Sequence, residues 1–415
     1  MRIAFTTLGC KLNYAETSTY ERGLRAYGHE TVSGDQPADA YLINTCAVTQ
    51  TAEKKSRNLI RKAHKLAPDA PIAVTGCYAS LRRDEILGIE GVVRVFGAKE
   101  KKRIVPELLH LLGDKESVPD VPGDTLEAYS SGERTRSFLK VQDGCNNFCA
   151  YCTVPYARGE SRNIPVCELV KQAEAIAAEG IKEIVLTGVN TGDFGRTTGE
   201  SFLDLLKALD RVEGIERYRI SSIEPNLITE EIVDWIASGT KFQHHFHIPL
   251  QSGSDTILRK VGRRYDTALF ASRIDYIRKA LEHPGEPKVF FGIDVIVGLP
   301  GETEELFMET YAFLRDRIKP AFIHIFPYSR RPGTRAALMK DQVQDRIKTE
   351  RVERLEALCR ELHEDFIAQN RGLTDKVLWE SSVHDGMMGG YTGNYIRIER
   401  PYDPSRAGTV ETVTI

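Results

Sequence analysis

Six strand-like runs alternate with helical patterns between residues 135 and 370, and this alternation constrains the fold more than any other feature. Strands that alternate with helices form parallel sheets, because each helix carries the chain back to the start of the next strand. Six such units predict an open, curved (β/α)6 barrel rather than the closed barrel of eight units. The predicted strands are residues 137–141, 183–188, 217–223, 244–250, 288–297 and 321–328.

The flanking segments differ from this barrel. Residues 1–112 show a separate strand and helix alternation, with strand-like runs at 3–7, 40–43, 72–75 and 92–96, and predict an N-terminal parallel α/β sheet domain. The last segment has strand-like runs at 376–383 and 391–400 without helical periodicity, and predicts a small β domain docked on its neighbour. The predicted organisation is α/β: a sheet domain at 1–112, a Gly/Pro/Asp-rich linker at 113–134, the barrel at 135–370 and the β domain at 371–415.

Three cysteines follow the first predicted barrel strand as a CxxxCxxC motif: Cys145, Cys149 and Cys152. Three thiolates at this spacing can bind three irons of one 4Fe-4S cluster, which leaves the fourth iron open to a small molecule. A zinc site is the alternative, but it usually needs a fourth ligand, and no His lies close in sequence.

Three further cysteines, Cys10, Cys46 and Cys77, each follow a strand of the N-terminal domain within three residues. The carboxyl ends of parallel strands meet at one edge of a sheet, so these thiols are predicted to converge. The alternative is three unrelated small buried residues. Cys167 and Cys359 occur singly in helical patterns and are predicted to be buried or inert.

The composition predicts a cytoplasmic globular protein without a membrane partner. No apolar run approaches the roughly 20 residues of a membrane span, and the first residues are not a signal peptide. Thiols stay reduced in the cytoplasm, where clustered cysteines are more often metal ligands than disulfides. The formal net charge of −3 gives no indication of a nucleic-acid partner.

The CxxxCxxC on the first loop of a six-unit barrel resembles the radical S-adenosylmethionine (SAM) superfamily. The resemblance implies that SAM binds the open iron and that one electron cleaves it to a 5′-deoxyadenosyl radical, which abstracts a substrate hydrogen. It also implies that an aromatic residue beside the last cysteine and residues at the ends of later strands hold SAM. The residues in these positions are Tyr151, Gly188, Asn190, Ser222, Glu224, Gln251, Ser252 and Ile296.

The whole chain resembles the methylthiotransferases within that superfamily, which replace a C–H bond with C–SCH3. Three N-terminal cysteines, a CxxxCxxC and a C-terminal β module follow one another in the order of that family. The resemblance implies that Cys10, Cys46 and Cys77 bind a second 4Fe-4S cluster, and that one SAM donates a methyl group to sulfur while another supplies the radical. An electron-carrying second cluster is the alternative role. The implied partners include an external one-electron reductant and a sulfur source.

The C-terminal segment Gly390-Tyr391-Thr392-Gly393-Asn394-Tyr395 resembles the TRAM domain, an RNA-binding β-barrel in which its tyrosines could stack on bases. The segment Leu8-Gly9-Cys10-Lys11-Leu12-Asn13 is most similar to the branch acting on carbon 2 of N6-threonylcarbamoyladenosine at position 37 of tRNA. The isopentenyladenosine branch more often has Gln-Met-Asn after its first cysteine. A third branch modifies a ribosomal-protein aspartate. An alternative of another class is a non-catalytic iron–sulfur protein that binds RNA or carries electrons.

Basic clusters at residues 54–62, 99–103, 259–264 and 330–335 fit a tRNA anticodon stem-loop as partner, although such clusters are usually solvated faces. The threonylcarbamoyl group ends in a carboxylate, so its pocket is expected to offer cations or hydrogen-bond donors. The candidate substrate-binding residues are Arg158, Arg263, Arg264, Arg330 and Arg331.

Overall fold

The computed structural model of the protein describes residues 1–113, 125–132 and 135–415. The N-terminal domain is one five-stranded parallel sheet in the order β2-β1-β3-β4-β5. Its strands are β1 (Arg2–Thr7), β2 (Glu30–Ser33), β3 (Ala40–Thr45), β4 (Ile72–Gly76) and β5 (Val92–Val95). Its helices are α1 (Lys11–Ala26), α2 (Gln50–Leu66), α3 (Cys77–Leu81), α4 (Arg83–Leu87) and α5 (Ile104–Leu111), with a 3-10 turn at Lys101–Arg103.

Helices cover both faces of this sheet. Every residue of β3 and of β4 is buried, as expected for parallel strands with helices on either side. Helices α1 and α5 pack on one face through residues such as Tyr20 and Leu108, and α2 packs on the other through Ile60. The sequence analysis missed β2, an edge strand of four residues whose composition, Glu-Thr-Val-Ser, has only one apolar side chain.

The central domain has the predicted six parallel strands in chain order. They form two hydrogen-bonded groups, β6-β9-β10 and β11-β12-β13, which meet where the Ile223 backbone N–H donates to the His247 carbonyl at 3.1 Å. The open α/β barrel is thereby confirmed. Its strands are β6 (Arg136–Lys140), β9 (Glu183–Thr187), β10 (Arg217–Ile220), β11 (His245–Gln251), β12 (Phe290–Val297) and β13 (Phe322–Pro327), and a short ribbon of β7 (Gln142–Asp143) and β8 (Arg162–Asn163) flanks the CxxxCxxC.

Helices on the outside of the barrel bury the outward side chains of these strands in one large apolar core. Their lengths vary from four to 26 residues, and the last one, α14, closes the domain. The helices are α6 (Val154–Arg158), α7 (Val166–Ala178), α8 (Phe202–Asp210), α9 (Glu230–Ala237), α10 (Asp255–Val261), α11 (Thr267–Leu281), α12 (Glu304–Ala312), α13 (Arg335–Leu338) and α14 (Asp345–Asn370), with a π-helical turn at Phe313–Ile318 and 3-10 turns at Thr191–Asp193 and Pro225–Leu227.

The described part of the predicted linker packs on the barrel. Ser130 donates its backbone N–H to the Phe138 carbonyl, and Ala128 is fully buried. The remainder of that prediction, residues 114–124 and 133–134, lies outside the described residues.

The C-terminal domain is a four-stranded antiparallel sheet, in the order β16-β15-β14-β17, that curls into a half-barrel. The single strand predicted over 391–400 is wrong, since Thr392 to Ile396 form a turn in which Tyr395 has a φ of +68°. The strands are β14 (Thr374–His384), β15 (Met387–Tyr391), β16 (Arg397–Pro401) and β17 (Val410–Thr414), with a 3-10 turn at Pro404–Arg406.

Buried arginines fasten this sheet to the amino ends of the barrel strands. The carboxylate of Glu183 lies 2.8 Å from Arg217 Nε, and Arg219 Nε donates to it at 2.9 Å. Both guanidinium groups also donate to the carbonyl of Thr392, at 2.9 and 2.7 Å. One buried carboxylate therefore supports the docking of a whole domain.

Among the described helices, none has the length and apolar character needed to span a membrane.

Candidate active site

The structure brings Cys10, Cys46 and Cys77 together at the carboxyl edge of the N-terminal sheet. They follow β1, β3 and β4, which are neighbours in the sheet order. Burial raises the pKa of Cys46 to about 11, and the neighbouring thiols of Cys77 and Cys10 add to the rise. Such thiols give up their protons when a cation takes their place, which is the behaviour of metal ligands.

Two glycines allow this convergence. Gly9 has a φ of +111°, and a Cβ there would lie 3.3 Å from Cys46 Sγ. Gly76 has a φ of +98° and a ψ of −171°, a region that only glycine occupies readily, and its Cβ would lie 2.2 Å from the Thr45 carbonyl oxygen. The glycines before Cys10 and Cys77 thus let adjacent loops approach closely.

Gly76→Ala is therefore expected to destabilise the N-terminal domain by roughly 3 kcal/mol or more, because backbone strain and a clash act together. Gly28→Ala is the matched control, because Gly28 also has a positive φ, +81°, but a Cβ there would meet no other atom within 4 Å. This variant is expected to lose only roughly 1 kcal/mol of folding stability, from backbone strain alone. Urea denaturation and iron content per chain measure both effects. Equal losses for the two variants would contradict the close-packing argument.

The second triad, Cys145, Cys149 and Cys152, lies between the β7–β8 ribbon and α6, on the loop that follows β6. Backbone N–H groups of Asn147 and Val154 donate to the sulfurs of Cys145 and Cys152, each at 3.4 Å. Burial raises the pKa of Cys152 to about 12, with the neighbouring Cys149 and Cys145 adding to the rise. Hydrogen bonds to thiolate sulfur are one way in which proteins adjust the reduction potential of an iron–sulfur cluster.

Arg263 joins this triad to the end of β10. Its Nη1 donates to Cys149 Sγ at 3.2 Å, and its Nη2 lies 2.8 Å from Glu224 Oε1. Glu224 also accepts from Asn147 Nδ2 at 2.9 Å, and its backbone N–H donates to Asn190 Oδ1 at 3.4 Å. Asn190 and Glu224 therefore lie beside the cysteine loop, where SAM-binding residues were expected.

A buried ionic cluster connects the two triads. Arg158 is 3% exposed and donates to Asp143 Oδ1 at 2.8 Å, to Glu16 Oε1 at 3.2 Å and to Asn13 Oδ1 at 2.5 Å. It also hydrogen-bonds the Cys77 thiol and thereby holds down the pKa of that thiol, although burial raises it overall. Lys101 and Lys140 complete the cluster around Glu16, at 2.6 and 2.8 Å.

Despite the cost of its burial, Glu16 remains ionised. The cations of Lys101, Lys140 and Arg158 together outweigh desolvation and lower its pKa to about 2. The expectation that Arg158 faces substrate at the barrel mouth does not match this position, since its donors are engaged by the interface between two domains.

A cleft of about 220 Å³ opens beside Cys152 at the carboxyl end of the barrel. Tyr151, Gln251 and Ile296 line it, so three of the residues expected to hold SAM face one space. Gln251 has a φ of +67° at a bulge of β11. Val48 and Thr49 of the N-terminal domain close the other side of the cleft.

The remaining residues of that set have structural contacts. Ser252 is fully buried and lies 3.2 Å from Thr310 Oγ1. Gly188 leaves room for Gln142, which accepts from the backbone N–H groups of Val189 and Asn190 at 2.9 and 3.0 Å. The Ser222 carbonyl accepts from Thr191. These contacts shape the strand ends around the cleft.

The candidate arginines divide into two groups. Arg331 is 3% exposed and pairs with Glu53 of α2, and Arg263 is engaged as described above, so neither guanidinium is presented to solvent. Arg264 and Arg330 are exposed. The predicted basic cluster on α2 is also exposed at Lys54, Lys55, Arg61 and Lys62. Neutralising Arg263 and Arg331 would therefore disturb internal contacts rather than test phosphate binding.

A second cavity of about 660 Å³ occupies the amino half of the barrel lumen. His247 and His324 line it, and His247 Nε2 lies 2.6 Å from Asp294 Oδ1, which lines the smaller cleft. Lys11 enters this lumen cavity from the N-terminal domain, and Tyr391 and Tyr395 border it from the C-terminal sheet. All three domains therefore enclose one space.

Sequence analysis did not identify this lumen cavity. The sequence pattern that could have indicated it is a polar or aromatic residue at every second position of two strands, which places these side chains on the inner face of the barrel. The residues are His245 and His247 on β11, and Phe322 and His324 on β13.

The tyrosines of the TRAM-like segment lie at the border of this cavity. Tyr391 and Tyr395 pack on Arg136, whose guanidinium carbon lies 4.9 and 5.5 Å from their ring centroids. Their rings are thus engaged by the barrel, which is a different position from the open stacking platform for RNA that the sequence suggests.

The donor sets fit two 4Fe-4S clusters. Each triad offers three thiols, and neither of the other cysteines is near: Cys167 is exposed on α7, and Cys359 is buried on α14 beside Ile323. The sulfur atoms receive N–H donors from Asn147, Val154 and Arg263. Three ligands for each cluster leave one iron available to another molecule.

Comparisons with known proteins agree with this architecture. Residues 2–97 match the uncharacterized protein family UPF0004, and residues 139–314 match the radical SAM superfamily. The solved structure of the radical SAM methyltransferase TsrM from Kitasatospora setae superposes with a TM-score of 0.57 at 15% identity, covering 94% of this chain and 80% of that one. At this identity the likeness concerns the fold alone.

Curated relatives match over nearly the whole chain. The threonylcarbamoyladenosine tRNA methylthiotransferase MtaB of Bacillus subtilis is 41% identical over 95% of this chain and 89% of its own length. MtaB of Aquifex aeolicus is 37% identical over 96% of this chain and 97% of its own length. The tRNA-2-methylthio-N(6)-dimethylallyladenosine synthase of Wolinella succinogenes is 34% identical over 92% of this chain and 89% of its own length. The chain belongs to the radical SAM methylthiotransferase family, enzymes with two 4Fe-4S clusters that use SAM.

Proposed function

We propose that this enzyme methylthiolates carbon 2 of N6-threonylcarbamoyladenosine at position 37, in the anticodon stem-loop of tRNA. The observation that carries this proposal is the presence of two thiol triads, linked by the buried Arg158 cluster, beside a cleft that the barrel and the N-terminal domain line together. The higher identity to relatives named MtaB than to the dimethylallyladenosine synthases supports this choice of nucleoside.

The two triads have different roles in this proposal. Cys145, Cys149 and Cys152 hold the cluster that binds SAM, because their loop borders the cleft of Tyr151, Gln251 and Ile296. Cys10, Cys46 and Cys77 hold the second cluster at the facing edge of the N-terminal domain. When bound, the first cluster supplies the electron that cleaves SAM and the second supplies the sulfur to be methylated and transferred.

The chain's own residues position the reactants and exclude water. Tyr151 and Ile296 offer apolar surface to the adenosine of SAM, while Asn190 and Glu224 lie toward the cysteine loop, where its polar methionine end is expected. Val48 and Thr49 close the cleft from the N-terminal domain. A closed, apolar surrounding protects a reactive radical from solvent and stray donors.

The RNA is expected to bind across the exposed basic residues near the barrel mouth. Helix α2 presents Lys54 and Lys55, and its first residue, Gln50, donates to the Arg330 carbonyl at 3.1 Å, so the helix lies beside the loop after β13. Phosphate contacts of this kind position a nucleic acid without reading its sequence. The setting we propose is the cytoplasm, where a one-electron reductant and reduced thiols are available.

Mass analysis of tRNA nucleosides tests the proposal. Reconstituted enzyme with SAM and a reductant is expected to convert threonylcarbamoyladenosine in tRNA to its methylthio derivative, with little conversion of isopentenyladenosine tRNA presented in competition. Omission of the reductant is the control and should give no product. Faster turnover of the isopentenyl substrate would assign the enzyme to the other branch, and absence of SAM cleavage would indicate a non-catalytic iron–sulfur protein.

A further inference from the structure

The carboxylate of the threonylcarbamoyl group needs a partner inside the enzyme. A buried site that pairs with a substrate charge rejects analogues lacking that charge, because its own group is then left unpaired. Three of the arginines predicted for this task have other contacts. Arg158 is engaged by Glu16 and Asp143, and Arg330 Nε donates to the Ala337 carbonyl at 2.8 Å. Arg331 pairs with Glu53 through Nη2 and lines the SAM cleft rather than the lumen cavity.

Lys11 has the position that this task requires. It is the first residue of α1, directly after Cys10 of the N-terminal triad, and it lines the lumen cavity. Its ammonium nitrogen lies 6.0 Å from the centroid of the Phe138 ring on β6. Within the described residues, this ammonium group makes no direct hydrogen bond or ion pair, and Glu183 and Asp294 are the acidic groups that act on it from a distance.

The three arginines that line the lumen cavity have other partners, His247 pairs with Asp294, and His363 Nδ1 lies 3.0 Å from the Ala321 carbonyl oxygen. Arg136 donates to Glu380 at 2.9 Å and to the Tyr395 hydroxyl at 3.0 Å, while Arg219 is engaged by Glu183 and the C-terminal backbone. Arg397, at the solvent side, pairs with Glu399 at 3.0 Å. Burial lowers the pKa of His324 to about 4 and that of His245 well below its ordinary value, so both are neutral near pH 7.

The lumen cavity also has the right size and neighbours. Its volume of about 660 Å³ is within the range of small-molecule sites and can hold a nucleobase with an extended substituent. The His247–Asp294 pair connects it to the SAM cleft. Lys11 connects the same cavity to the N-terminal triad, since it directly follows Cys10, so a base in this cavity would have neighbours of both sites around it.

We propose that Lys11 binds the threonylcarbamoyl carboxylate in the lumen cavity and thereby determines the enzyme's choice of nucleoside. This inference rests on the proposed function and adds the residue that recognises its substrate. An isopentenyl group would leave the half-buried ammonium without a directly bonded carboxylate, which disfavours that nucleoside.

Two stem-loop RNAs presented in competition test this assignment. One carries threonylcarbamoyladenosine, and the other carries its carboxamide analogue, which has the same size but no charge. The unsubstituted enzyme should prefer the carboxylate by roughly 10- to 100-fold in kcat/KM, as expected for one charge-assisted hydrogen bond. Lys11→Gln should reduce this preference to near unity, and Lys11→Arg should retain most of it. Lys207→Gln, on the exposed face of α8, is the matched control and should leave the preference unchanged.

The ratio of the two products is informative even if part of the enzyme lacks iron, because both RNAs react with the same enzyme sample in one mixture. An undiminished preference in Lys11→Gln would overturn the assignment. If that variant is inactive on both RNAs, Lys11→Arg decides: a retained preference supports the assignment and a lost one refutes it. Failure of the unsubstituted enzyme to modify either RNA would instead refute the proposed function.

Discussion

Replacing Cys145, Cys149 and Cys152 by Ala is expected to abolish the reductive cleavage of SAM to 5′-deoxyadenosine. Replacing Cys10, Cys46 and Cys77 should leave that cleavage but remove methylthiolation, because the two triads hold separate clusters. The unsubstituted protein should contain about eight irons per chain, and each triple variant about four. Iron analysis and chromatographic detection of 5′-deoxyadenosine measure these effects.

The remaining cysteines provide the matched control for this experiment. Cys167 is exposed and Cys359 is buried beside β13, and neither lies near a triad. Replacing both by Ala should leave the iron content unchanged. Full iron content after loss of Cys10, Cys46 and Cys77 would show that the N-terminal cluster does not exist.

Glu183→Ala should undock the C-terminal sheet and destabilise the protein by about 3–5 kcal/mol, since it leaves buried guanidinium groups without their shared counter-charge. Arg136, Arg217 and Arg219 all lie within 3.2 Å of this carboxylate. Urea denaturation and limited proteolysis between α14 and β14 measure the two consequences. Glu399→Gln is the control, because Glu399 and its partner Arg397 are both about half exposed. This variant is expected to lose less than about 1 kcal/mol of folding stability.

The same carboxylate predicts a dependence on pH. Burial would raise the pKa of Glu183, but Arg219, Arg217 and Arg136 outweigh it and lower the pKa to about 2, from an ordinary value near 4.5. A depressed folded-state pKa contributes stability above the unfolded value, and this contribution of roughly 3 kcal/mol should disappear as pH falls from about 4.5 to about 2. Acid denaturation of Glu183→Ala should lack that component, and identical acid profiles would contradict the prediction.

Sequence reasoning located the chemistry because cysteine spacing and strand ends are local patterns. The positions of Cys10, Cys46 and Cys77 after three strands predicted their convergence, and the six strands of the barrel fixed the location of Cys145 relative to Tyr151, Gln251 and Ile296. Each inference needed only the rule that parallel strands end at a common edge.

The pairing of charges could not be predicted in this way. Arg158 and Arg331 look like available cations in the sequence, yet their partners Glu16 and Glu53 are 142 and 278 residues away in the chain. Lys11 looks like one residue of a motif, and only the tertiary structure places it in the lumen cavity. Long-range contacts decide which charged groups remain free to bind a substrate, and these contacts leave no periodic signal.

The ionic cluster of Glu16, Asp143 and Arg158 has a consequence for how RNA is engaged. It ties the loops of both cysteine triads to one buried interface, so the separation between them is fixed before any substrate arrives. A rigid pair of reaction centres cannot close around a stacked base, so the proposed reaction requires the nucleotide itself to leave its stack and rotate into the lumen. Such extrusion is least costly for an unpaired base. Under the proposed function, this requirement favours a target in a loop of the RNA rather than in a stem.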